Sequence, residues 1–366
     1  MENPDFSPLL VTPVSRRGHG KATLADVARR AGVTTMTVSR MLREPHRVSD
    51  ETGERIRQAL ADTGYAPNKQ AATMASGRSA IVAAIIPNVA NSIFAETVQG
   101  LSDMLQPAGL ELLLASTNYS LEREEEQLRA VLGWAPAALV VTGLRHTAGA
   151  LTLMRQAQAS GTPVIEIWEK DPEAMEFIQI GFNHRSAGHT LAQHLLDCGH
   201  TNLVYLDSGV EEDFRAHERG EGFAHTAEQA GATARIIKAD RGEPMAAGRQ
   251  ALQGLQSGTL PQGIAFANDH LAAGAWLQAQ DLGIRVPQDL SLLGFGDFPI
   301  AAQLGGGIST LAAPRYAIGQ NAGLKILTDL GLNTASDATA IALQPTLVMR
   351  NSTLLRCARV DTRVMT

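Results

Sequence analysis

From residue 80 onward, unbroken apolar runs alternate with longer stretches whose apolar positions recur at helical spacing. Ile81–Ile86 is apolar throughout, as a strand buried on both faces reads. The pattern then predicts a helix over 94–105, a strand over 110–115, a helix over 121–132 and a strand over 138–141. A further helix and a strand over 164–167 follow. Beyond Asn183 the alternation restarts, with strands over 203–206, 263–266 and 290–293 separated by helices. Strand–helix alternation means parallel sheets covered on both faces. Its restart predicts an α/β body of two doubly wound lobes with a ligand cleft between them, although no internal sequence repeat accompanies it.

Before residue 80 the periods are short and purely helical. Thr23 is placed to cap a helix whose apolar face carries Leu24, Val27, Ala28 and Ala31, and Gly32 suits a left-handed turn. Thr34 then caps a second helix with Val38, Met41 and Leu42 facing inward. A third helix after Ser49 brings Ile56, Leu60 and Tyr65 to a small core. Two short helices joined by a tight glycine turn, the second with an exposed polar face, form a helix-turn-helix. An ordinary helical hairpin is the competing reading. On the exposed start and side of the second helix stand Thr35, Met36, Ser39, Arg40 and Arg43. Arg40 suits guanine, Thr35 and Met36 suit base edges or a thymine methyl, and Thr37, Ser39 and backbone amides suit phosphates.

Charge sharpens this picture. The net charge of −6 hides a basic segment, with twelve Lys and Arg against six Asp and Glu between Arg16 and Ala80. A basic head on an acidic body points to a polyanionic partner for the head. Only Cys198 and Cys357 are present, which excludes a disulfide framework and fits a reducing compartment. No stretch approaches the roughly 18 apolar residues of a membrane span, and residues 1–20 lack a signal-peptide core. The expectation is a cytoplasmic protein.

Leu24-Ala25-Asp26-Val27-Ala28, with Ala31-Gly32-Val33-Thr34 and Thr37-Val38-Ser39-Arg40, resembles the LacI/GalR family of repressors. So does Gly64-Tyr65-Ala66-Pro67-Asn68 with the small-residue run after it, and the likeness covers essentially the whole chain after residue 20. The resemblance implies DNA contacts from Thr34, Thr35, Met36, Thr37, Ser39, Arg40 and Arg43. It also implies a hinge helix over 68–76, carrying Asn68 and driving Met74 into the minor groove as a wedge. The implied organisation is a tail over 1–20, the head over 21–66, a hinge over 67–79, a periplasmic-binding-protein-like body over 80–353 and a tail over 354–366. Chain crossovers between the lobes are expected near 180, 308 and 340. A homodimer on a pseudo-palindromic operator follows, since no long heptad tail closes the chain.

The same resemblance assigns effector contacts. Arg219 falls on the family's ligand-binding arginine, and Asn268 and Asp269 on a recurrent pair, with Asn268 as the contact and Asp269 as a helix cap. By their places at strand ends rather than by the resemblance, Asn91 and Phe94 wall the pocket, and Glu166 and Trp168 alternate onto one side of a strand end, with a solvated loop edge as the competing reading. Many sugar-binding members carry an aspartate directly after Gly-Phe on the late strand. Here Gly294-Phe295 is followed by Gly296, with Asp297 one place later. Arg219 and Arg315 then suggest a cationic site for a carboxylate or phosphate.

Fragments such as Asn91-Ser92-Ile93-Phe94-Ala95-Glu96, His146-Thr147 and Pro163-Val164-Ile165-Glu166 are similar to the family's gluconate-operon repressors. The implied effector is gluconate or its 6-phosphate. A neutral sugar, a ketosugar acid or a corepressor stay open beside it.

Other chemistries find little support. His184, His189, His194, Cys198 and His200 are scattered by a turn and a helix end, so neither metal nor cofactor is expected. The acidic run Glu122, Glu124, Glu125 and Glu126 reads as a solvated helix face. No phosphate loop or nucleophile elbow argues for an enzyme, and a sugar-transport protein has no use for the helix-turn-helix.

Overall fold

The computed structural model describes residues 22–66, 79–89, 93–174, 176–332 and 343–353, and the chain falls into two units, 1–77 and 78–366. In the first unit, α1 (Leu24–Ala31), α2 (Thr35–Arg43) and α3 (Asp50–Thr63) pack on one another. Thr23 and Asp26 cap α1 reciprocally: the hydroxyl accepts the Asp26 N–H at 3.3 Å, and the carboxylate accepts the Thr23 N–H at 2.9 Å. Gly32, at φ 66°, ends the helix in the left-handed region that the sequence calls for. The Thr34 hydroxyl then accepts the Thr37 N–H at 3.2 Å to start α2. Val27, Ala28, Ala31, Val38, Met41, Ile56 and Ala59 form the core beneath. Arg55 of α3 donates to the Ala31 carbonyl at 2.6 Å, satisfying the end of α1. The expected hinge helix, with Asn68 and Met74, lies outside the described residues, as do both tails.

The second unit holds two sheets. The first has the order β2-β1-β3-β4-β5 and is parallel throughout. Its strands are β1 (Ile81–Ile86), β2 (Glu111–Ser116), β3 (Ala138–Thr142), β4 (Val164–Glu169) and β5 (Ile178–Phe182). Helices α4 (Ala95–Leu105), α5 (Leu121–Leu132) and α6 (Ala148–Ala159) connect them. Val82, Ala84 and Ile86 enter one hydrophobic cluster and Ala83 and Ile85 another, so β1 is covered on both faces. That explains its unbroken apolar run.

The second sheet has the order β11-β10-β9-β8-β6-β7. It contains β6 (Asn202–Asp207), β7 (Thr233–Lys238), β8 (Gly263–Phe266), β9 (Ser291–Phe295), β10 (Ser309–Ala312) and β11 (Thr346–Val348). All pairings are parallel except β10 with β11, an antiparallel edge. Helices α7 (His184–Asp197), α8 (Phe214–Gln229), α9 (Pro244–Leu255) and α10 (Asp269–Asp281) flank it, with the short α11 (Pro299–Gln303). The last helix, α12 (Arg315–Asp329), returns to pack on α4 of the first lobe. The chain therefore changes lobe after Phe182, after Ala312 and between Asp329 and Thr346. The second crossing comes a few residues beyond 308, because 309–312 is itself a strand of the second sheet.

Helices α7 and α8 approach through glycine. A Cβ on Gly188 would sit 2.0 Å from the Arg219 carbonyl oxygen, and one on Gly222 2.2 Å from that of Arg185. Their absence sets the seat of Arg219. Among the described residues no helix is long and apolar enough to cross a membrane.

Candidate functional site

Two surfaces carry chemistry, one in each unit. On α2, Thr34, Thr35, Met36 and Arg40 are exposed, while Val38 and Met41 face the core. Met36 is 68% exposed, a long apolar side chain at a polar helix start, suited to a thymine methyl. Thr37 and Ser39 are half-buried. The Thr37 hydroxyl lies 2.9 Å from that of Thr34, tying it into the cap. The side chain of Arg43 lies outside the described residues.

Between the lobes opens a cleft of about 550 Å³, lined from the C-terminal ends of the strands. Arg219 on α8 is its central cation, buried to 4% exposure. One Nη donates to His184 Nδ1 at 3.0 Å and the other to the Ala267 carbonyl at 3.0 Å. The guanidinium lies over the Phe295 ring at 3.9 Å, and the buried Tyr205 hydroxyl stands beside it. His184 Nε2 stands 3.0 Å from the Trp168 carbonyl, which only accepts, so Nε2 carries the proton and Nδ1 is the acceptor for Arg219. Burial, then Arg219 and Arg215, hold the His184 pKa well below the ordinary imidazole range. The ring is neutral, with one tautomer.

An aromatic wall completes the pocket. Phe94 meets Trp168 edge-on at 5.2 Å, Trp168 meets Phe182 at 6.0 Å, and the Trp168 indole N–H donates to Thr97 at 3.1 Å. Arg215, one turn before Arg219, also lines the cleft and donates to Glu169 at 3.1 Å, with both side chains buried. Burial raises the Glu169 pKa against the pull of Arg215, while Glu169 holds the arginine protonated against its own burial.

Of the residues expected here, Phe94, Arg219 and Asn268 line the cleft, and Asn91 lies outside the described residues. Asn268 lines the cleft as expected but also takes the capping role expected of Asp269, which lies outside the lining. The Asn268 side chain caps α10, accepting the Leu271 N–H at 3.0 Å. Asp269 is fully buried, accepting from Thr310 at 2.6 Å and from the Phe298 N–H at 2.7 Å. Its carboxyl is pushed up to about 6 by burial, with those two hydrogen bonds pulling the other way.

Arg315 is outside the lining: it donates to the Asp297 carbonyl at 2.9 Å and pairs with Glu96 at 2.8 Å. Asp297 is turned to Arg350, at 2.7 Å. Glu166 also misses the cleft. Trp168 adopts φ 77°, which breaks the strand alternation, so the two side chains do not share a side. Glu166 instead faces His146 at 3.3 Å, whose other nitrogen meets Glu124 at 2.6 Å. Glu124 is therefore buried and is no part of a solvated acidic face. Burial opposes charge on His146, but the hydrogen bonds to Glu124 and Glu166 win and push its pKa up to about 9.

Sequence reasoning missed Arg215, Tyr119 and His184 as cleft residues, whereas Trp168, named with Glu166, does line the cleft. The spacing of Arg215 and Arg219 was the available signal, since residues four apart share a helix face. The other histidines weighed as metal ligands pair with hydroxyls: His189 with Thr226, His194 with Thr353 and His200 with Ser291. Among the described residues no group of three potential ligands converges on a metal position.

A family model for bacterial regulatory proteins of the lacI family matches residues 23–68, and one for a periplasmic binding protein-like domain matches residues 192–353. The chain is 35% identical over 340 residues to the HTH-type transcriptional regulator GntR of Pseudomonas aeruginosa, covering 92% of this chain and 97% of that protein. It is 29% identical over 301 residues to a regulator of the same name from Escherichia coli, covering 82% and 89%. A solved LacI-family transcriptional regulator from Silicibacter pomeroyi superposes with a TM-score of 0.82 at 32% identity, covering 90% of this chain and 99% of that one. These relatives regulate transcription and are not enzymes.

Proposed function

Because the chain belongs to the LacI family of DNA-binding transcription regulators, we propose that it represses sugar-acid utilisation genes and leaves its operator when a gluconate-type acid binds the cleft. It acts as a homodimer whose two heads read a pseudo-palindromic site, since half-site symmetry mirrors protein symmetry. Arg40, Thr35 and Met36 address base edges, and Thr34, Thr37, Ser39 and Arg43 address the backbone around them. Asn68 and Met74 belong to the hinge that orders on DNA. The effector binds one arrangement of the two lobes better than the other, and so shifts the population of DNA-competent dimers.

One observation supports the acid over a neutral sugar. The buried guanidinium of Arg219 lines the cleft and donates to uncharged acceptors, the neutral His184 ring and the Ala267 carbonyl, with no carboxylate hydrogen-bonded to it among the described residues. A buried charge without a counter-ion is costly, and a carboxylate is the natural partner of a guanidinium fork. The second reading, a neutral sugar, draws on the aromatic wall and on the carboxylates around the rim.

Thermal stabilisation of the purified protein separates the two, because a ligand of the folded state raises the melting temperature. Gluconate is expected to raise it and to release operator DNA in a gel-shift titration, whereas glucose and galactose leave both unchanged. Stabilisation by the neutral sugars alone overturns the sugar-acid reading.

A further inference from the structure

We infer that Glu169 is a specificity-determining residue, one that restricts the effector to a single negative charge and excludes phosphorylated acids. The inference rests on the sugar-acid reading above. Three observations carry it.

Arg215 is engaged from behind. Its Nη1 donates to Glu169 at 3.1 Å, and side-chain exposures of 9% and 8% place the pair out of water. The contact has its own built seat. Gly143, at φ 96°, leaves room for both groups, and a Cβ there would lie 2.8 Å from Arg215 Nη1 and 2.9 Å from Glu169 Oε1. The rings of Phe94 and Tyr119 flank the guanidinium at 5.7 and 5.9 Å. Water therefore does little to screen the pair, and Glu169 cancels much of the field that Arg215 would send into the cleft.

Arg219 is the arginine left for a ligand's acid group. Its two Nη atoms meet uncharged acceptors, a neutral histidine and a carbonyl, so no carboxylate of the described residues is hydrogen-bonded to it.

The rim is acidic. Glu212, Asp213, Asp240 and Glu243 line the cleft. Against these stand Arg215, already paired, Arg219, and Arg241, which is largely exposed and lies 3.8 Å from Glu211. One carboxylate on the ligand is matched by Arg219. A phosphate ester added to the same ligand finds no unpaired buried guanidinium among the described lining residues and meets the rim carboxylates instead. Like charges at that range are repelled rather than bound.

The test is isothermal titration of the full-length protein with gluconate, 6-phosphogluconate and glucose, repeated on Glu169→Gln and on Glu218→Gln. Glu218 pairs with Arg145 beside the same helix, so its substitution removes a nearby charge without touching Arg215. In the unsubstituted protein gluconate is expected to bind about tenfold or more tightly than its 6-phosphate. Glu169→Gln frees Arg215 and closes that gap by about tenfold or more, while Glu218→Gln leaves it in place.

An unchanged gap in folded Glu169→Gln overturns the inference and leaves the sugar-acid reading standing. So does equal or tighter binding of 6-phosphogluconate by the unsubstituted protein. Binding of glucose alone sinks the sugar-acid reading, and the inference with it. Should Glu169→Gln fail to fold, Glu169→Met, which fills similar space without a charge, decides in its place. It removes the same buried charge as Glu169→Gln, so the gap must close by about tenfold or more, and an unchanged gap overturns the inference.

Discussion

Nη1 of Arg219 donates to Nδ1 of His184 at 3.0 Å, and the histidine can accept only because its Nε2 proton is committed to the Trp168 carbonyl. This relay joins three elements: α8 carries the arginine, the first turn of α7 the histidine, and the end of β4 the carbonyl. Its neutrality is imposed by burial and by the two arginines beside it. Replacing His184 by Leu removes the acceptor and leaves a buried donor unmet, a loss of about 1–3 kcal/mol. The expected result is weaker effector binding in titration calorimetry with DNA affinity retained. Unchanged effector affinity would remove His184 from the positioning of Arg219.

His146 predicts the opposite pH behaviour from His184. Its folded pKa, about 9, lies above the ordinary imidazole value because Glu124 and Glu166 hold the charged ring despite burial. The unfolded chain titrates near the ordinary imidazole value of 6.5. This contribution is therefore fully present below about pH 6.5 and is lost as pH rises through about 9. The lowered pKa of His184 works in the other direction, costing stability as pH falls below 6.5. His146→Gln should lower stability by about 3–5 kcal/mol near neutrality, since it strands two buried carboxylates without their cation. It should also flatten the decline in melting temperature between pH 7 and pH 10. A variant with the parent's alkaline slope would show that His146 is not the titrating group.

The contrast between these histidines shows what the sequence carried. The buried strands were legible because β1 and β3 are apolar on both faces, and the head because Thr23, Gly32 and Thr34 punctuate it. Strand β7 was not, because Thr233-Ala234-Arg235-Ile236-Ile237-Lys238 forms an edge on which the exposed Thr233, Arg235 and Lys238 interrupt the apolar run. Within the cleft, Arg219 was legible by resemblance. Arg315 and Glu166 were misplaced because their directions depend on backbone detail: the left-handed φ of Trp168, and the Asp297 carbonyl that holds Arg315. No periodicity encodes either one.

Gly188 tests how closely the cleft depends on helix spacing. A methyl group there would meet the Arg219 carbonyl oxygen at 2.0 Å and the Phe223 nitrogen at 2.8 Å, contacts that only a shift of α7 against α8 relieves. Overpacking of this kind costs about 1–3 kcal/mol. Gly188→Ala should therefore lower the melting temperature and weaken effector binding together, because the atoms displaced belong to the residue that carries Arg219. A loss of stability with full effector affinity would show that α8 moves as a unit without disturbing the guanidinium.

Arg40 offers the corresponding test for the head. It is exposed on α2, while Val38 and Met41 on the other face hold the core, so its removal leaves the fold intact. A guanidinium paired with a guanine edge contributes about 1–3 kcal/mol of discrimination. Arg40→Ala should thus weaken binding to the specific operator by about that amount per half-site and flatten the preference among single-base variants at one position. The effector-induced rise in melting temperature should stay unchanged, since the cleft belongs to the other unit. A uniform loss across all DNA sequences, with a shallower salt dependence, would instead assign Arg40 to a phosphate.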